Sequence, residues 1–300
     1  MIDGIINVYK ERGFTSHDVV AKLRGILKQK KIGHTGTLDP EAQGVLPVCL
    51  GRATKVCELL ADKTKEYRAV LMLGTVTDTQ DMTGEILSKA EVTCSPEEVR
   101  ACISRFTGEQ EQIPPMYSAL KVNGKKLYEL ARQGVEVERR ARKITVSRIE
   151  IERIDLPEVE FSVECSKGTY IRTLCHDIGA ALGCGGCMKT LLRTRVGPFL
   201  EEESVTLAAI EQYRDEGRLE EIIRSTDSVF LQLPKAVLSE KALRLVQNGN
   251  PLGRGALALE GENRPQDGMQ IRLYSQDGRF LAVYEWKAEK DSYRAVKMFL

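Results

Sequence analysis

The sequence is poor in the side chains on which most metal centres depend. It has three histidines, His17, His34 and His176, among 300 residues. Of its eight cysteines, only Cys184 and Cys187 have the spacing of metal ligands, and a structural zinc site usually needs a second such pair. We therefore expect no metal site. The cysteines are expected to be reduced and partly buried, as is usual in cytosolic proteins.

Long apolar runs are also missing. No stretch approaches the roughly 20 apolar residues that a membrane helix requires. The first residues, MIDGIINVYKERG, lack the basic start and the continuous apolar segment of a secretory signal. The sequence therefore predicts a cytoplasmic protein that does not associate with a membrane.

The common nucleotide-binding and hydrolase fingerprints are absent as well. The segment GCGGCMKT at 183–190 ends like a P-loop, but Met188 stands where the second glycine must be. No GxGxxG follows a predicted strand, and there is no GxSxG elbow. These absences argue against a P-loop nucleotidase, a dinucleotide-dependent enzyme and a serine hydrolase of that type.

Charge is balanced overall, at a net +1, but is unevenly distributed. Residues 22–31 contain five basic and no acidic side chains, and residues 121–148 contain nine basic and three acidic ones. Residues 201–227 reverse this ratio, with nine acidic and three basic side chains. Basic blocks on a balanced protein favour a focused surface for binding a polyanion. Either block alone is equally consistent with a solvated helix or strand face.

Hydrophobic periodicity and turn signals predict mixed strands and helices. Helices are expected at 16–29 with Ser16 as cap, at 51–60, from Ser95 onward, at about 127–134, at 169–182 and at 239–249. Strands are expected at 3–9, 45–50, 67–74, 159–165, 269–275, 279–286 and 293–300, and VNGKK at 122–126 is expected to be a turn. The composition changes near residue 233, which predicts a large domain over 1–232 and a small β-rich domain over 233–300.

A glycine-rich loop at 33–44 contains a candidate reactive carboxylate. Asp39 precedes Pro40, which disfavours a helical backbone and favours an extended or turn conformation at Asp39. The flanking Gly36 and Gly44 permit close approach by a ligand. Such a loop can present one carboxylate to a bulky substrate. Many Asp-Pro pairs instead close an Asx turn, and spacing alone leaves that alternative open.

The stretch CSKGTYIRTL at 165–174 is the second informative segment. A strand followed by Gly168 and a helix starting near Thr169 would place Tyr170 and Arg172 in the first helical turn. A buried arginine needs a carboxylate or phosphate partner because an unpaired buried charge is costly. Asp39 is a candidate partner, and an ordinary surface arginine at a helix start is the alternative.

Several long segments closely resemble the TruB family of tRNA pseudouridine synthases. They are GHTGTLDPEAQGVLPVCLGRATK, KEYRAVLMLGTVTDTQDMTG and CSKGTYIRTLCHDIGAALG, and the similarity extends over most of the chain. The segment PPMYSALKVNGKKLYELARQG, within an insertion at about 113–143, resembles the RNA-gripping insertion of that family. The chain from VLSEKALRLVQNGNPL onward resembles a PUA domain, a small RNA-binding β-barrel.

The resemblance implies an α+β fold with two parts. The first is a pseudouridine-synthase catalytic domain, over 1–232, built on a mixed, largely antiparallel sheet with flanking helices. The second, over 233–300, is a PUA-like β-barrel. It also implies isomerisation of uridine-55 in the T loop of tRNA without a metal or other cofactor, by a monomer that needs no protein partner. The basic blocks would then contact phosphates.

The family motif implies catalytic roles for three residues. Asp39 matches the nucleophile, and Arg172 matches the arginine that pairs with it. Tyr67 matches the tyrosine that stacks on the flipped base and that also has a candidate role in C5 deprotonation. Pairing with Arg172 is expected to lower the pKa of Asp39 and so keep its carboxylate charged.

Three further residues match substrate-binding positions of the family. The uridine must leave its stack to be reached, at a cost of a few kcal/mol. His34 matches the residue that fills the vacated space in the RNA. Tyr170 and Leu191 match positions that line the pocket.

Two other functions fit parts of this pattern. One is a guide-RNA-dependent synthase of the same superfamily, although the insertion at 113–143 favours a stand-alone tRNA enzyme. The other is a tRNA-binding or tRNA-folding protein whose catalysis is vestigial. Intact Asp39, Tyr67 and Arg172 argue against it.

Overall fold

A computed structural model describes residues 1–122, 124–259 and 265–300. The described residues form one large mixed sheet with helices packed against it and a second, five-stranded sheet near the C-terminus. The predicted α+β class, with a mixed and largely antiparallel sheet and flanking helices, is confirmed. None of the described helices has the length and apolar character that crossing a membrane requires.

The large sheet and its excursions are built from residues 4–224. The strands are β1 (Gly4–Lys10), β2 (Ile32–His34), β3 (Gln43–Leu50), β4 (Lys65–Leu73), β5 (Thr75–Thr77), β6 (Ile86–Lys89), β7 (Gly108–Gln112), β8 (Lys121–Val122), β9 (Lys125–Lys126), β10 (Arg142–Asp155), β11 (Glu158–Cys165), β12 (Gly186–Val196), β13 (Phe199–Leu200) and β14 (Ile223–Arg224). The helices are α1 (Ser16–Leu27), α2 (Cys57–Ala61), α3 (Pro96–Ser104), α4 (Leu127–Ala131), α5 (Ile171–Ala181) and α6 (Leu207–Asp215).

The strand order of the large sheet is β14-β1-β3-β12-β4-β11-β10-β7, with β2 added beside β3 and β13 beside β12. Its pairings are antiparallel except at the centre, where β12 and β3 run parallel. Arg193 lies opposite Gly44 at this junction. Gly44 has a φ of +101°, and a Cβ there would lie 2.3 Å from the Arg193 carbonyl oxygen. A glycine is therefore required where the loop carrying Asp39 enters β3.

Two hydrophobic clusters cover opposite halves of this sheet. Helices α3 and α5 pack onto β4, β10, β11 and β12 around Phe161 and Ile178. Helices α1 and α6 pack onto β1 and β3 around Val8, Leu23 and Ile210. The central strands β3 and β12 therefore have helices on both sides of their junction, which fixes the loops that emerge there.

The chain from residue 235 onward forms the second sheet. Its elements are β15 (Lys235–Leu238), α7 (Glu240–Gln247), β16 (Leu257–Leu259), β17 (Gln270–Tyr274), β18 (Phe280–Lys287) and β19 (Ser292–Met298), and its strand order is β16-β15-β17-β18-β19. Phe280 and Phe299 join Phe230 and residues of the large sheet in a shared cluster. The PUA-like barrel and the domain boundary at residue 233 stay predictions.

Several predicted element limits are wrong for identifiable reasons. Helix α1 is capped by Thr15, which exchanges hydrogen bonds with Asp18, and it ends at Leu27 because Lys28 adopts a left-handed backbone. The predicted helix at 51–60 is a 3-10 helix over Gly51–Val56 followed by α2. Asn123 of the predicted turn lies outside the described residues, and β8 pairs with β9 on either side of it.

Helix α5 begins two residues later than the sequence predicts. Tyr170 is the N-cap residue, with an extended backbone, and the first helical residue is Ile171. Two hydrogen bonds with the Gln112 side chain hold the Tyr170 backbone in this conformation. Arg172 remains in the first turn, as expected.

Candidate active site

A cleft of about 1250 Å³ opens above the junction of β3, β12 and β4. It is lined by the loop at 34–40, by β4 and β12, by residues 78–85, by the start of α5 and by part of the insertion. All six residues singled out in the sequence line it: His34, Asp39, Tyr67, Tyr170, Arg172 and Leu191. The structure thus brings together side chains that are up to 157 positions apart in the chain.

The Asp39 carboxylate and the Arg172 guanidinium meet side by side in this cleft. Arg172 Nε lies 2.9 Å from Asp39 Oδ2, and Arg172 Nη2 donates to Asp39 Oδ1 at 3.1 Å. Arg172 is 5% exposed and Asp39 is 37% exposed. A two-point contact of this kind fixes the orientation of the carboxylate as well as its position. One edge of Asp39 is therefore held by arginine while part of it remains open to the cleft.

Arg172 also ties two other loops to this pair. Its Nη1 donates to the Thr79 carbonyl at 3.1 Å, and its Nη2 donates to the Tyr117 carbonyl at 2.8 Å. Asp81 Oδ2 lies 3.8 Å from Arg172 Nε and adds a second negative charge. A single guanidinium therefore connects the Asp39 loop, the 78–85 loop and the base of the insertion.

The pKa of Asp39 differs from the sequence expectation. Burial raises it above its ordinary value of 3.8, Arg172 opposes the shift, and the nearby Asp81 charge adds to it. Although the carboxylate lies deep in the protein, its exposed edge lets water in the cleft moderate the burial effect. Pairing with Arg172 lowers this pKa, as expected, but burial outweighs the arginine and the net shift is upward.

The Asp39 loop is supported from behind by buried polar side chains. Lys10 Nζ donates to the carbonyls of Pro40, Ala42 and Glu11. Ser16 Oγ accepts from the Leu38 amide at 2.9 Å. 

No such backbone contact involves the Asp39 side chain. Among the described residues its carboxylate accepts only from Arg172, so an Asx turn at this position is not what the structure shows. The loop is shaped by Lys10 and Ser16 instead, which leaves the carboxylate free to face the cleft.

Aromatic and apolar side chains form part of the other walls. Tyr67 is 8% exposed and lies on β4, and Leu191 lies on the neighbouring strand β12 at 9% exposure. Burial raises the pKa of Tyr67, and the Arg193 guanidinium beside it acts in the opposite direction. Burial lowers the pKa of His34, whose Nδ1 accepts from the Gly36 amide at 3.3 Å. Neutral phenol and imidazole rings are therefore favoured in the cleft near neutral pH.

Three residues of the site were missed in the sequence. Lys10 and Arg193 are almost fully buried, and Asp81 lies beside Arg172. Arg193 stands two residues after Leu191, so strand periodicity would have placed both on one face, but no strand was predicted there. Asp81 lies within the segment KEYRAVLMLGTVTDTQDMTG, in which nothing local marks it as a site residue.

Metal binding has little support in the described part of the chain. No three His, Cys, Asp or Glu side chains there are grouped as ligands, and Cys184 and Cys187 are free thiols. What the cleft does offer is one oriented carboxylate, a guanidinium and an aromatic wall. A carboxylate held in this way can act as a nucleophile towards an electrophilic carbon.

Comparison with family models gives a continuous match. A model described as TruB family pseudouridylate synthase, N-terminal domain, matches residues 24–171. A model described as tRNA pseudouridylate synthase B C-terminal domain matches residues 172–231. The junction between the two models falls at Arg172, inside the cleft.

Curated relatives and solved structures extend the similarity to the whole chain. A tRNA pseudouridine synthase B of Lachnoclostridium phytofermentans is 52% identical over 100% of both chains. One of Alkaliphilus oremlandii is 52% identical over 83% of this chain and 82% of its own. A chain of an H/ACA ribonucleoprotein bound to a substrate RNA containing 2′-deoxyuridine aligns with a TM-score of 0.73 and 28% identity, covering 99% of this chain and 85% of that one. A chain of a Cbf5-Nop10-Gar1 complex gives 0.73 and 30% with the same coverage.

Proposed function

The chain belongs to the TruB family of pseudouridylate synthases, and on that premise we propose that it converts uridine-55 in the T loop of tRNA to pseudouridine. As a pseudouridylate synthase it is an isomerase. We propose in addition that tRNA is the substrate, that uridine-55 is the target and that Asp39 is the nucleophile. Curated relatives named tRNA pseudouridine synthase B support tRNA as the substrate.

The observation that carries the proposal is the two-point contact between Arg172 and Asp39, in a cleft that Tyr67 and Leu191 also line. The isomerisation breaks the N-glycosidic bond of uridine and rejoins the base to the ribose through C5. One group must attack or stabilise the sugar or the base while the bond is broken. Asp39 is the carboxylate in the cleft that is both oriented by arginine and open to a ligand. Attack at C1′, attack at C6 and promotion of a glycal are all compatible with its position.

The surrounding side chains fit a uridine that has left its stack. Tyr67 offers an aromatic face on which a base can stack, a contact that does not depend on base identity. His34, at the mouth of the loop before Asp39, would fill the space that the base leaves in the RNA. Tyr170 and Leu191 would line the pocket beside the flipped base.

The two basic blocks are placed to bind the RNA backbone. The lysines and arginines of 22–31 are exposed on and after α1. In the insertion, Lys126 and Arg132 line the cleft with Tyr128 between them. Contacts of this kind give affinity that falls with salt and carry little sequence information. Recognition would then depend on the shape of the T arm and on the flipped base.

The test is incubation of the purified protein with an unmodified tRNA transcript and no other RNA. Pseudouridine is expected at position 55, and a matched transcript with cytidine at that position is expected to give none. Absence of product from the first transcript contradicts the proposal. Product at a different uridine would contradict the assignment of the target.

A guide-RNA-dependent synthase is the second candidate, because the solved structures that align over 99% of this chain include H/ACA ribonucleoprotein components. Adding a guide RNA to the same reaction separates the two functions. Turnover that requires the guide would support the second candidate. Turnover of tRNA by the protein alone supports the first, together with action without a protein partner or an added cofactor. We further propose that the protein acts as a monomer in the cytoplasm.

A further inference from the structure

Arg193 is a buried guanidinium beneath the active-site cleft that the proposed mechanism does not use. It is 1% exposed and lies on β12, directly opposite Tyr67 of β4. Its Nε donates to the Val45 carbonyl at 2.7 Å, and its Nη2 donates to the Gly36 carbonyl at 3.3 Å. The ion pairs found in the described part of the chain include its neighbour Arg195 but not Arg193. A buried charge without a carboxylate partner is costly, which calls for a functional explanation.

The groups that face Arg193 come from several elements. Tyr67 and Lys65 face it from β4, Lys10 from β1, and His34 from β2. Burial lowers the pKa of Lys10 and of Lys65 to about 8, and Arg193 adds to both shifts. The surroundings of Arg193 are therefore rich in positive charge, and such surroundings stabilise an anion that forms among them.

The one facing group that can become an anion beside the substrate is Tyr67. It lies directly opposite Arg193, and the guanidinium opposes the rise in the pKa of Tyr67 that burial causes. Because residues directly opposite on paired strands project to the same side of the sheet, both side chains are directed towards the same part of the cleft.

We propose that Arg193 is a positioning residue for the isomerisation and acts through Tyr67, holding the phenolic oxygen in place to accept the C5 proton. This inference rests on the proposed function, since it assigns a step of that reaction. It differs from a purely structural role, in which Arg193 would only tie Gly36 and Val45 to β12.

The proton transfer can be written with all atoms accounted for. After C5 has joined C1′, that carbon carries both the new bond and its hydrogen. The C5–H bond breaks, the proton passes to the Tyr67 oxygen as the phenol gives its own proton to water in the cleft, and the electron pair forms the C5–C6 double bond. The electrons of the C6–N1 double bond move to N1, which takes a proton from water.

The experiment measures this step with an isotope. An unmodified tRNA transcript is prepared with uridine or with 5-deuterouridine, and single-turnover rates are measured at saturating protein for the wild type, Arg193→Met, Tyr67→Phe and the double variant. We expect the single-turnover rate of Arg193→Met to be lower than that of the wild type by at least about tenfold. Proton transfer by a positioned side chain usually contributes more than this to the rate. Its deuterium isotope effect is expected to exceed that of the wild type, because removal of the C5 proton becomes more rate-limiting.

Coupling between the two residues is the second readout. If Arg193 acts through Tyr67, the double variant should be no more than about twofold slower than Tyr67→Phe alone, since the two changes then remove one interaction. Multiplicative losses, or an Arg193→Met protein with the isotope effect of the wild type, would overturn the inference. A wild-type protein that makes no pseudouridine would overturn the proposed function and the inference with it.

Two further variants keep the result interpretable. If Arg193→Met does not fold, the same cycle is run with Arg193→Lys, which keeps the charge and loses the planar fork. Its rate is expected between those of the wild type and Tyr67→Phe. Arg195→Met is the matched control on the same strand, because Arg195 pairs with Glu66 and Glu164 away from the cleft. It is expected to keep the wild-type isotope effect.

Discussion

Gln112 and Tyr170 hold each other through two hydrogen bonds across the base of the cleft. Gln112 Nε2 donates to the Tyr170 carbonyl at 3.1 Å, and the Tyr170 amide donates to Gln112 Oε1 at 2.8 Å. Gln112 is 4% exposed and ends the edge strand β7. The pair therefore fixes the first turn of α5, where Arg172 is placed to meet Asp39.

Replacing Gln112 with leucine should destabilise the protein and misplace Arg172. The variant Gln112→Leu leaves the half-buried Tyr170 amide without a partner, at a cost of about 1–3 kcal/mol, while the Tyr170 carbonyl still accepts from the Leu174 amide. Denaturant unfolding measures this loss, and single-turnover rates should fall with it. Gln110→Leu on the same strand is the control, since the Gln110 side chain bonds only to the nearby Phe106 carbonyl. Equal stability of the two variants would contradict the interpretation.

The pH dependence of the reaction should show the raised pKa of Asp39. Burial raises this pKa, so the ionised form that attacks is lost on acidification at a higher pH than for an ordinary aspartate. The single-turnover rate should therefore fall as pH drops through a value above 3.8. Folding stability depends on pH in the opposite direction. Because the pKa of Asp39 is higher in the folded protein, protonation of Asp39 favours the folded state, and this contribution is lost as the pH rises through the folded-state pKa. An acid limb at or under the ordinary value would show that Arg172 outweighs burial.

Substituting Arg172 with lysine should cost activity despite the retained charge. Lysine is unable to contact both oxygens of Asp39 and also reach the carbonyls of Thr79 and Tyr117. A misplaced nucleophile loses about a hundredfold in rate, and we expect at least that for Arg172→Lys in single-turnover assays. The acid limb should also move to higher pH, because a poorer partner stabilises the carboxylate less. A rate within a few-fold of wild type would argue against orientation as the role of Arg172.

Replacing Asp39 itself separates chemistry from binding. Asp39→Ala should abolish pseudouridine formation, because no other carboxylate in the described cleft is held by arginine at two points. Binding of tRNA should stay within a few-fold, since the basic blocks supply most of the affinity. Filter binding and product analysis on the same tRNA measure both. Retained turnover would disprove the assignment of the nucleophile.

The sequence was sufficient to predict the loop that carries Asp39 but not the side chains that surround Asp39. The glycines and Pro40 mark the loop locally, and the family motif identifies its carboxylate. Arg172 lies 133 residues away from Asp39, and no local period encodes that contact. Tertiary hydrogen bonds of Gln112, in the polar run GEQEQ, decide where α5 begins, and nothing in that run indicates a buried side chain.

Strand β12 was missed for a different reason. Its register against β4 shifts twice, between Met188 and Thr190 and between Arg193 and Arg195. Each shift interrupts the alternation of apolar and polar residues by which a strand is predicted. Charged side chains within the strand add to the effect, because a buried arginine resembles an exposed one in sequence. For these reasons the sequence did not identify Arg193, which lies opposite Tyr67 in the sheet.

The parallel junction at Gly44 gives the last prediction. A Cβ at this position would lie 2.3 Å from the Arg193 carbonyl oxygen, and the backbone φ of +101° disfavours any other residue. Gly44→Ala should therefore separate β3 from β12 and lower the free energy of unfolding by about 1–3 kcal/mol, the cost of a forced backbone conformation. Because the Asp39 loop enters β3 here, the single-turnover rate should also fall.

The matched control is Gly25→Ala in α1, where no atom lies within 4 Å of the added methyl group and the backbone is helical. Alanine there should raise stability by about 0.5–1 kcal/mol, because glycine is the poorer helix former. Thermal unfolding of both variants measures the contrast. A Gly44→Ala protein as stable as Gly25→Ala would show that the junction can open without cost, and that the close approach of the two strands does not hold the loop of Asp39 in place.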